Sequence, residues 1–247
     1  SRTFDVVVAN PPYMGSDKFD PWTSAWIKAN YPNVKNNLCT CFIERGFGLA
    51  KHNGYSAMVT MQNWMFLGSF EKMRKKLLRD TTITSMCHLG AHAFDAIGGE
   101  VVDTTAIVFQ NAHLEGKGAY VRLVDLIGSD SKRQAMLEAI QNPACGWFYR
   151  ADASTFKDIP GTPIAYWASE AMRRAFKEGA SLADVTNPRV GMQTGKNERF
   201  LRLWWEVERG KESFGCESQI EFTETGAKYA PYNKGGIFRK WYGNLDY

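Results

Sequence analysis

Four consecutive residues near the start of the chain, Asn10-Pro11-Pro12-Tyr13, are of types that could act on an amino group attached to an aromatic ring. Such a nitrogen is a poor nucleophile, because its lone pair is delocalised into the ring. Two acceptors aimed at its hydrogens favour the pyramidal, more nucleophilic form. The Asn10 side-chain oxygen is one acceptor, and the Pro11 backbone carbonyl can be the second. Proline fixes φ and has no N–H, so the turn is stiff and its carbonyls are left to face a site. Tyr13 offers a flat ring on which an extruded base can stack.

The elements that must position this turn are also legible. Phe4–Ala9 is a nearly continuous apolar run, which suits a strand buried on both faces of a parallel sheet. Two prolines end it. The tetrapeptide therefore stands at the carboxyl end of a strand, where ligands bind in open α/β sheets. A polar loop is expected to about Asn36, with Trp22 and Trp26 in it folding over something. The spacing of Leu38, Phe42 and Leu49 predicts a helix from Asn37 to Lys51, stopped by His52-Asn53-Gly54. Tyr55–Met61 reads as a strand. Ser69 is placed to cap a helix over Phe70–Arg79, apolar at Met73, Leu77 and Leu78 and otherwise basic. Ile83–Leu89 and Thr104–Phe109 read as further strands, and the alternation implies parallel crossovers. Beyond Gly116 the pattern predicts a strand over Tyr120–Ile127 and helices over Ser131–Gln141 and Ala168–Lys177. Turn residues at 184–195 mark a boundary, and short strands and turns are expected after it.

Composition bounds the class. The chain has 247 residues, 44% hydrophobic and 23% charged, which is ordinary for a globular protein with a sizeable core. The net charge of +4 is mildly basic and spread evenly along the chain, except at the end. There Lys228, Lys234, Arg239 and Lys240 face only Asp246, with six aromatics among them. The five cysteines form no CxxC pair and have no histidine at ligand spacing. They read as buried free thiols of a cytoplasmic protein, with no metal site. His88, His92 and His113 have no partner at metal or triad spacing. No apolar run approaches the length of a membrane span, and no signal peptide opens the chain. The first residues run straight into a strand, which suggests a fragment.

The stretch FDVVVANPPY, residues 4–13, is similar to the catalytic motif of S-adenosylmethionine-dependent amino-methyltransferases, the adenine-N6 DNA enzymes above all. Gly46–Asn63 with Trp64, residues 90–109 (GAHAFDAIGGEVVDTTAIVF), 191–200 (GMQTGKNERF) and 231–244 (PYNKGGIFRKWYGN) extend the likeness. Together they resemble the large adenine-specific methyltransferase of BREX phage-defence systems, the PglX type. The resemblance implies an α/β fold: the C-terminal half of a Rossmann-like methyltransferase sheet over residues 1–115, a connecting α/β segment over 116–185, and the start of a target-recognition region over 186–247. It implies S-adenosyl-L-methionine as cofactor and double-stranded DNA as substrate, with defence-system subunits as possible partners. The cofactor's Gly-rich loop and acidic residue would precede the motif strand, and only nine residues precede Asn10. The cofactor half of the sheet is therefore expected to be missing, leaving Asn10 as the residue bordering the methyl donor and the fragment inactive by itself.

Asn10, Pro11, Pro12 and Tyr13 are the candidate catalytic residues. Phe94 is a candidate second wall for a flipped base, with a core phenylalanine as the alternative. Gly98-Gly99 is a turn or a close approach to a ligand. Lys72, Lys75 and Lys76 read as a solvated helix face. Lys196 is a candidate phosphate contact or a plain surface lysine. Lys234, Arg239 and Lys240, interleaved with aromatics, fit a DNA-contacting edge, against the alternative of an aromatic-anchored β-segment. Two rival functions share parts of this pattern. Protein-glutamine and RNA methyltransferases also carry NPPY, but usually stop soon after the sheet. A DNA-binding module with a degenerate site would retain the basic edge without an intact motif.

Overall fold

The computed structural model describes residues 2–94, 102–187 and 193–247. They form two compact units, residues 1–181 and 182–247.

The first unit is built on one six-stranded sheet in the order β1-β2-β4-β3-β5-β6. Strand β1 is Phe4–Ala9. The segment after it is not the expected loop. It contains a 3-10 turn at Ser16–Lys18 and a helix, α1, over Pro21–Asn30. The start signal was present: the Asp20 carboxylate accepts from Thr23 N at 3.0 Å, and Pro21 occupies the first helical position. Trp22 and Trp26 stack on each other with centroids 6.4 Å apart, Trp26 also packs on Tyr31, and both line a cavity of about 380 Å³ with Ile27, Leu38 and Phe42 while staying largely exposed.

Helix α2, Leu38–Leu49, is capped by Asn37, whose side chain accepts from Cys39 N. It ends earlier than expected, because strand β2 already runs from Ala50 to Met61. His52-Asn53-Gly54 therefore lies inside the strand, where Asn53 takes φ of 65°. Helix α3 is Glu71–Asp80, and its N-cap is Phe70, without a side-chain cap from Ser69. Strands β3, Thr82–Gly90, and β4, Thr104–Gln110, follow. Then come β5 (Lys117–Arg122), helix α4 (Ser129–Gln141), β6 (Phe148–Asp152) and helix α5 (Glu170–Glu178), capped by Ser169. Strand β5 is shorter than the expected Tyr120–Ile127, giving way to a turn after Arg122. Residues 116–185 thus add β5 and β6 to the same sheet.

The pairing corrects the expectation of parallel crossovers throughout. β1 is parallel to β2, and β3 to β5, but β4 runs antiparallel to both β2 and β3. No helix intervenes between β3 and β4 among the described residues, and without a crossover helix the chain returns antiparallel. β6 is antiparallel to β5.

Helices α2 and α3 cover one face of the sheet. The core there joins Ile43, Met73 and Leu77 to Met58, Met86, Ile107 and Phe109. Close packing requires Gly46, where a Cβ would lie 2.6 Å from both Met58 Cε and Ser56 Oγ. On the other face α4 packs over the β5 end, burying Val121, Ala135 and Ala139. Strand β1 departs most from its expected burial. It is paired only with β2 among the described residues, and Val6 and Val8 are 56% and 75% exposed. Burial on both faces needs layers above and below, and none of the described helices lies over β1 on the side of Val6 and Val8.

Helix α3 buries Arg74 together with Met73 and Leu77. Its guanidinium donates to the carbonyls of Trp64, Leu67, Gly161 and Thr162, and burial lowers its pKa. Lys75 and Lys76 instead pair with Glu71 and Glu44 near the surface.

The second unit is made of short pieces: helices α6 (Leu182–Val185), α7 (Asn197–Phe200) and α8 (Gln219–Glu224), with 3-10 turns at Trp204–Glu206 and Arg209–Lys211. The expected short strands reduce, among the described residues, to one isolated bridge between Glu212 and Tyr229.

Candidate active site

The candidate Asn10–Tyr13 turn leaves β1 at its carboxyl end. Asn10 is exposed, Pro11 buried, Pro12 exposed and Tyr13 half-buried. The backbone beyond is tied to the amino end of α2. Leu38 N donates to Met14 O at 2.9 Å, Gly15 bridges to Asn37, and Ser16 N donates to Asn36 O at 3.1 Å. The turn is thus held from both ends, by β1 behind and α2 ahead.

The Tyr13 hydroxyl donates to Asn10 Oδ1 at 3.3 Å. Burial pushes the Tyr13 hydroxyl up to about 12, with a smaller contribution from Cys39 beside it, so it stays protonated and a donor. This occupies one of the two lone pairs of the Asn10 oxygen. The other is left for a substrate hydrogen. No donor to the Pro11 carbonyl occurs among the described residues. Two acceptors, one of them oriented by a tyrosine, therefore lie next to each other at an exposed strand end. A cavity of about 170 Å³ is lined by Asn36, Asn37, Cys39, Met61, Asn63 and Trp64.

The sheet brings other groups to this end. Gln62 follows β2, and His88 and Arg122 stand at the ends of β3 and β5. His88 is buried between Gln62 and Tyr166, with Phe66 and Trp167 around its ring. Burial, then the Arg122 and Lys132 charges, hold its pKa down to about 4, so the imidazole is neutral. Lys132 is itself buried and donates to Leu89 O and Leu123 O. The sequence assigned His88 nothing, because its partner Tyr166 lies 78 residues away and no local spacing announces it.

Phe94 follows β3 and is 36% exposed, with no ring contact to Tyr13 among the described residues. Gly98-Gly99 lies outside the described residues. In the second unit Lys196 is exposed and flanks α7. Lys234 sits over the Tyr247 ring at 5.1 Å and Lys240 over Trp241 at 5.5 Å, while Arg239 is exposed. Phe238, Trp241 and Tyr242 are more than four-fifths exposed, so these aromatics do not anchor the segment as a β-segment would require. A cavity of about 480 Å³ in this unit is lined by rings, among them Phe200, Trp204, Phe214 and Tyr229. No cluster of three or more metal-ligating side chains occurs among the described residues, and no described helix is long and apolar enough to cross a membrane.

An α/β sheet with Asn-Pro-Pro-Tyr at a strand's carboxyl end defines the class: a Rossmann-like sheet of the S-adenosylmethionine-dependent methyltransferase type. A chain from a solved type I restriction-modification system shares this fold, with a TM-score of 0.51 and 19% identity over 75% of this chain and 41% of that one. Residues 1–94 match the model of the Eco57I restriction-modification methylase family. The full chain is 44% identical to the adenine-specific methyltransferase PglX of Lacticaseibacillus casei (strain Zhang), and 39% identical to the adenine-specific methyltransferase BrxX of Escherichia coli O9:H4 (strain HS). The resemblance to PglX-type adenine-specific methyltransferases is thereby borne out along the whole chain. The chain spans about one fifth of the length of these two curated relatives, 20% and 19%.

Proposed function

We propose that this chain is the amine-activating part of an adenine-N6 DNA methyltransferase acting in phage defence or restriction-modification. The observation that carries the reading is the Asn10–Pro11 acceptor pair at the end of β1, with the Tyr13 ring beside it. The target adenine is flipped out of the duplex. Its N6 hydrogens are accepted by Asn10 Oδ1 and the Pro11 carbonyl, and its ring stacks on Tyr13. Both acceptors draw the nitrogen toward the pyramidal form. After transfer the methylated nitrogen carries a positive charge and both of its hydrogens, and it loses one proton to solvent to give the neutral methylamine.

S-adenosyl-L-methionine, when bound, supplies an electrophilic methyl group. The residues present fit one side of its site only. The carboxyl end of β1 offers the Asn10 side chain, but the described strands are followed by no glycine-rich turn into a helix that could cradle the rest. Its main contacts are proposed to come from polypeptide ahead of the motif strand. The basic, aromatic second unit, through Lys196, Lys234, Arg239 and Lys240, is proposed to touch duplex DNA, and Phe94 to flank the flipped base. The protein would work in the cytoplasm, where its thiols stay reduced, together with other defence-system subunits.

The test is Asn10→Ala in the full-length protein. Its side chain acts on the reacting nitrogen, so the loss belongs in turnover and not in DNA affinity. Methylation is expected to fall at least 100-fold with the dissociation constant for duplex DNA within about threefold. Near-normal turnover would remove Asn10 from the chemistry. Incorporation of radiolabel into protein or RNA instead of DNA would favour the other NPPY substrates.

A further inference from the structure

One buried chain of side chains at the carboxyl end of the sheet is not used by the chemistry above. The Tyr166 hydroxyl lies 3.0 Å from His88 Nδ1, and His88 Nε2 contacts Gln62 Oε1. Tyr166 is 4% exposed and His88 likewise, so each polar atom must find its partner inside the protein. Among the described residues, His88 is the one partner found for the Tyr166 hydroxyl. A phenol in that position donates to the imidazole, which makes Nδ1 the acceptor and puts the proton on Nε2. That proton goes to Gln62, and the Gln62 oxygen, not its nitrogen, must face His88. The two hydrogens of the Gln62 amide therefore point away from His88. No acceptor for them is found among the described residues; the one side-chain contact of Gln62 found there is made by its oxygen.

The topology places the residue that carries those hydrogens. Strand β2 is the immediate neighbour of β1, with Ala9 opposite Met58, and adjacent strands are about 4.8 Å apart. Gln62 opens the turn that follows β2, as Asn10 opens the turn that follows β1. Gln62 N is tied to Asp103 O at 2.9 Å, which fixes its backbone against the start of β4. Continuing the Ala9–Met58 register brings Asn10 level with Val59 and Tyr13 level with Gln62, so Gln62 stands at the end of the strand beside the Asn10–Tyr13 turn, at the same carboxyl end of the sheet. The two sets are complementary to an aminopurine edge. The amino group needs acceptors, and the ring nitrogens flanking it need a donor.

We infer that Gln62 is a specificity-determining residue that donates from its side-chain amide to a ring nitrogen of the flipped adenine, and that His88 and Tyr166 are positioning residues that fix which end of the amide faces the base. This rests on the functional reading above. It explains why a tyrosine, an imidazole and an amide are kept in a chain through an otherwise apolar cluster. Where the ring nitrogen is N1, the contact also supplies discrimination against guanine, whose N1 carries a hydrogen and would meet the amide donor without an acceptor.

The experiment uses the full-length protein with duplexes in which the target adenine is intact or replaced by 1-deazaadenine or 7-deazaadenine. Gln62→Leu removes the amide. Gln62→Glu keeps its size and its acceptance from His88 but removes the donor. Each is expected to lower kcat/KM on adenine about tenfold, the usual weight of one such bond; the unfolding temperature should hold in Gln62→Glu, which keeps an acceptor for His88, and fall in Gln62→Leu, which leaves the buried imidazole N–H without one. On one of the two analogues the wild type should already show that loss, and neither variant should add to it. Tyr166→Phe, which frees the imidazole tautomer, should lose several-fold on adenine and nothing further in the Gln62→Glu background. Losses that multiply on both analogues, or no loss on adenine, overturn the inference. A wild type that leaves adenine duplexes unmethylated would bring down the functional reading itself, and this inference with it.

Discussion

Tyr13 carries two groups with separable work. Under the proposed function its ring would offer the stacking face, while its hydroxyl donates to Asn10 Oδ1 at 3.3 Å. Base–aromatic stacking is worth roughly 1–3 kcal/mol, and a single neutral hydrogen bond about 1 kcal/mol. Tyr13→Ala in the full-length protein should therefore cost about 10- to 100-fold in kcat/KM, and Tyr13→Phe less than about tenfold. Equal losses would show that the hydroxyl, through Asn10, carries the role. His88 gives a second residue-level prediction. Its pKa is held down to about 4 from 6.5, mainly by burial. Above pH 6.5 it is neutral both folded and unfolded, and the shift costs nothing. Between 6.5 and 4 the unfolded chain binds a proton that the folded one does not, so stability falls as pH falls across that window. At 1.36 kcal/mol per pKa unit the full loss is on the order of 3 kcal/mol. Denaturant midpoints from pH 7 to pH 4 should show this slope and lose most of it in His88→Gln. A variant with an undiminished slope would place the titration elsewhere.

At the scale of elements, Arg74 is the joint of the first unit. It lies on the buried stripe of α3, and its guanidinium fork joins the turns after β2 to Gly161 and Thr162. Replacement by methionine fills the volume but leaves carbonyls without their donor. We expect Arg74→Met to lower unfolding free energy by about 2–4 kcal/mol, read from denaturant midpoints with the slope m unchanged. Lysine should recover little, because a point ammonium cannot reach four carbonyls as a planar fork does. A neutral Arg74→Met would mean that the carbonyls find water. The helix pattern alone reads Arg74 as one more basic side chain beside Lys72, Lys75 and Lys76.

Across the whole molecule, the second unit carries the exposed cations and rings. Under the proposed function, one flipped base could not specify a multi-base target, so discrimination would lie outside the Asn10–Tyr13 turn. Phosphate contacts release counterions, each worth about 0.9 in the slope of log K against log salt. If Lys234, Arg239 and Lys240 contact DNA, replacing all three by alanine in the full-length protein should reduce that slope by about two to three. An unchanged slope and affinity in a folded variant would leave them as a solvated rim. Lys234 and Lys240 now rest on Tyr247 and Trp241, contacts worth about 0.5–1 kcal/mol at exposed sites that a phosphate can readily replace.

What the sequence by itself determined was local. A mostly apolar hexapeptide that runs into Asn-Pro-Pro reads as a strand that stops, and β1 does stop there; Asn10, Pro11 and Tyr13 suggest their proposed chemistry by their types and order. Most helices and strands were legible because period and capping act within a few residues, as Asn37 and Ser169 show. The Asp20-Pro21 start of α1 was legible in principle and passed over within a polar stretch. Only the tertiary structure decided the rest. That β4 runs backwards between β2 and β3, that Val6 and Val8 lie exposed on β1, and that Arg74 is buried all depend on what packs against each element. The pairing of Gln62 with His88 and Tyr166 joins residues 26 and 78 positions apart. Hydrogen bonds and burial are properties of neighbours in space, and no periodicity along a chain encodes which distant segments become neighbours.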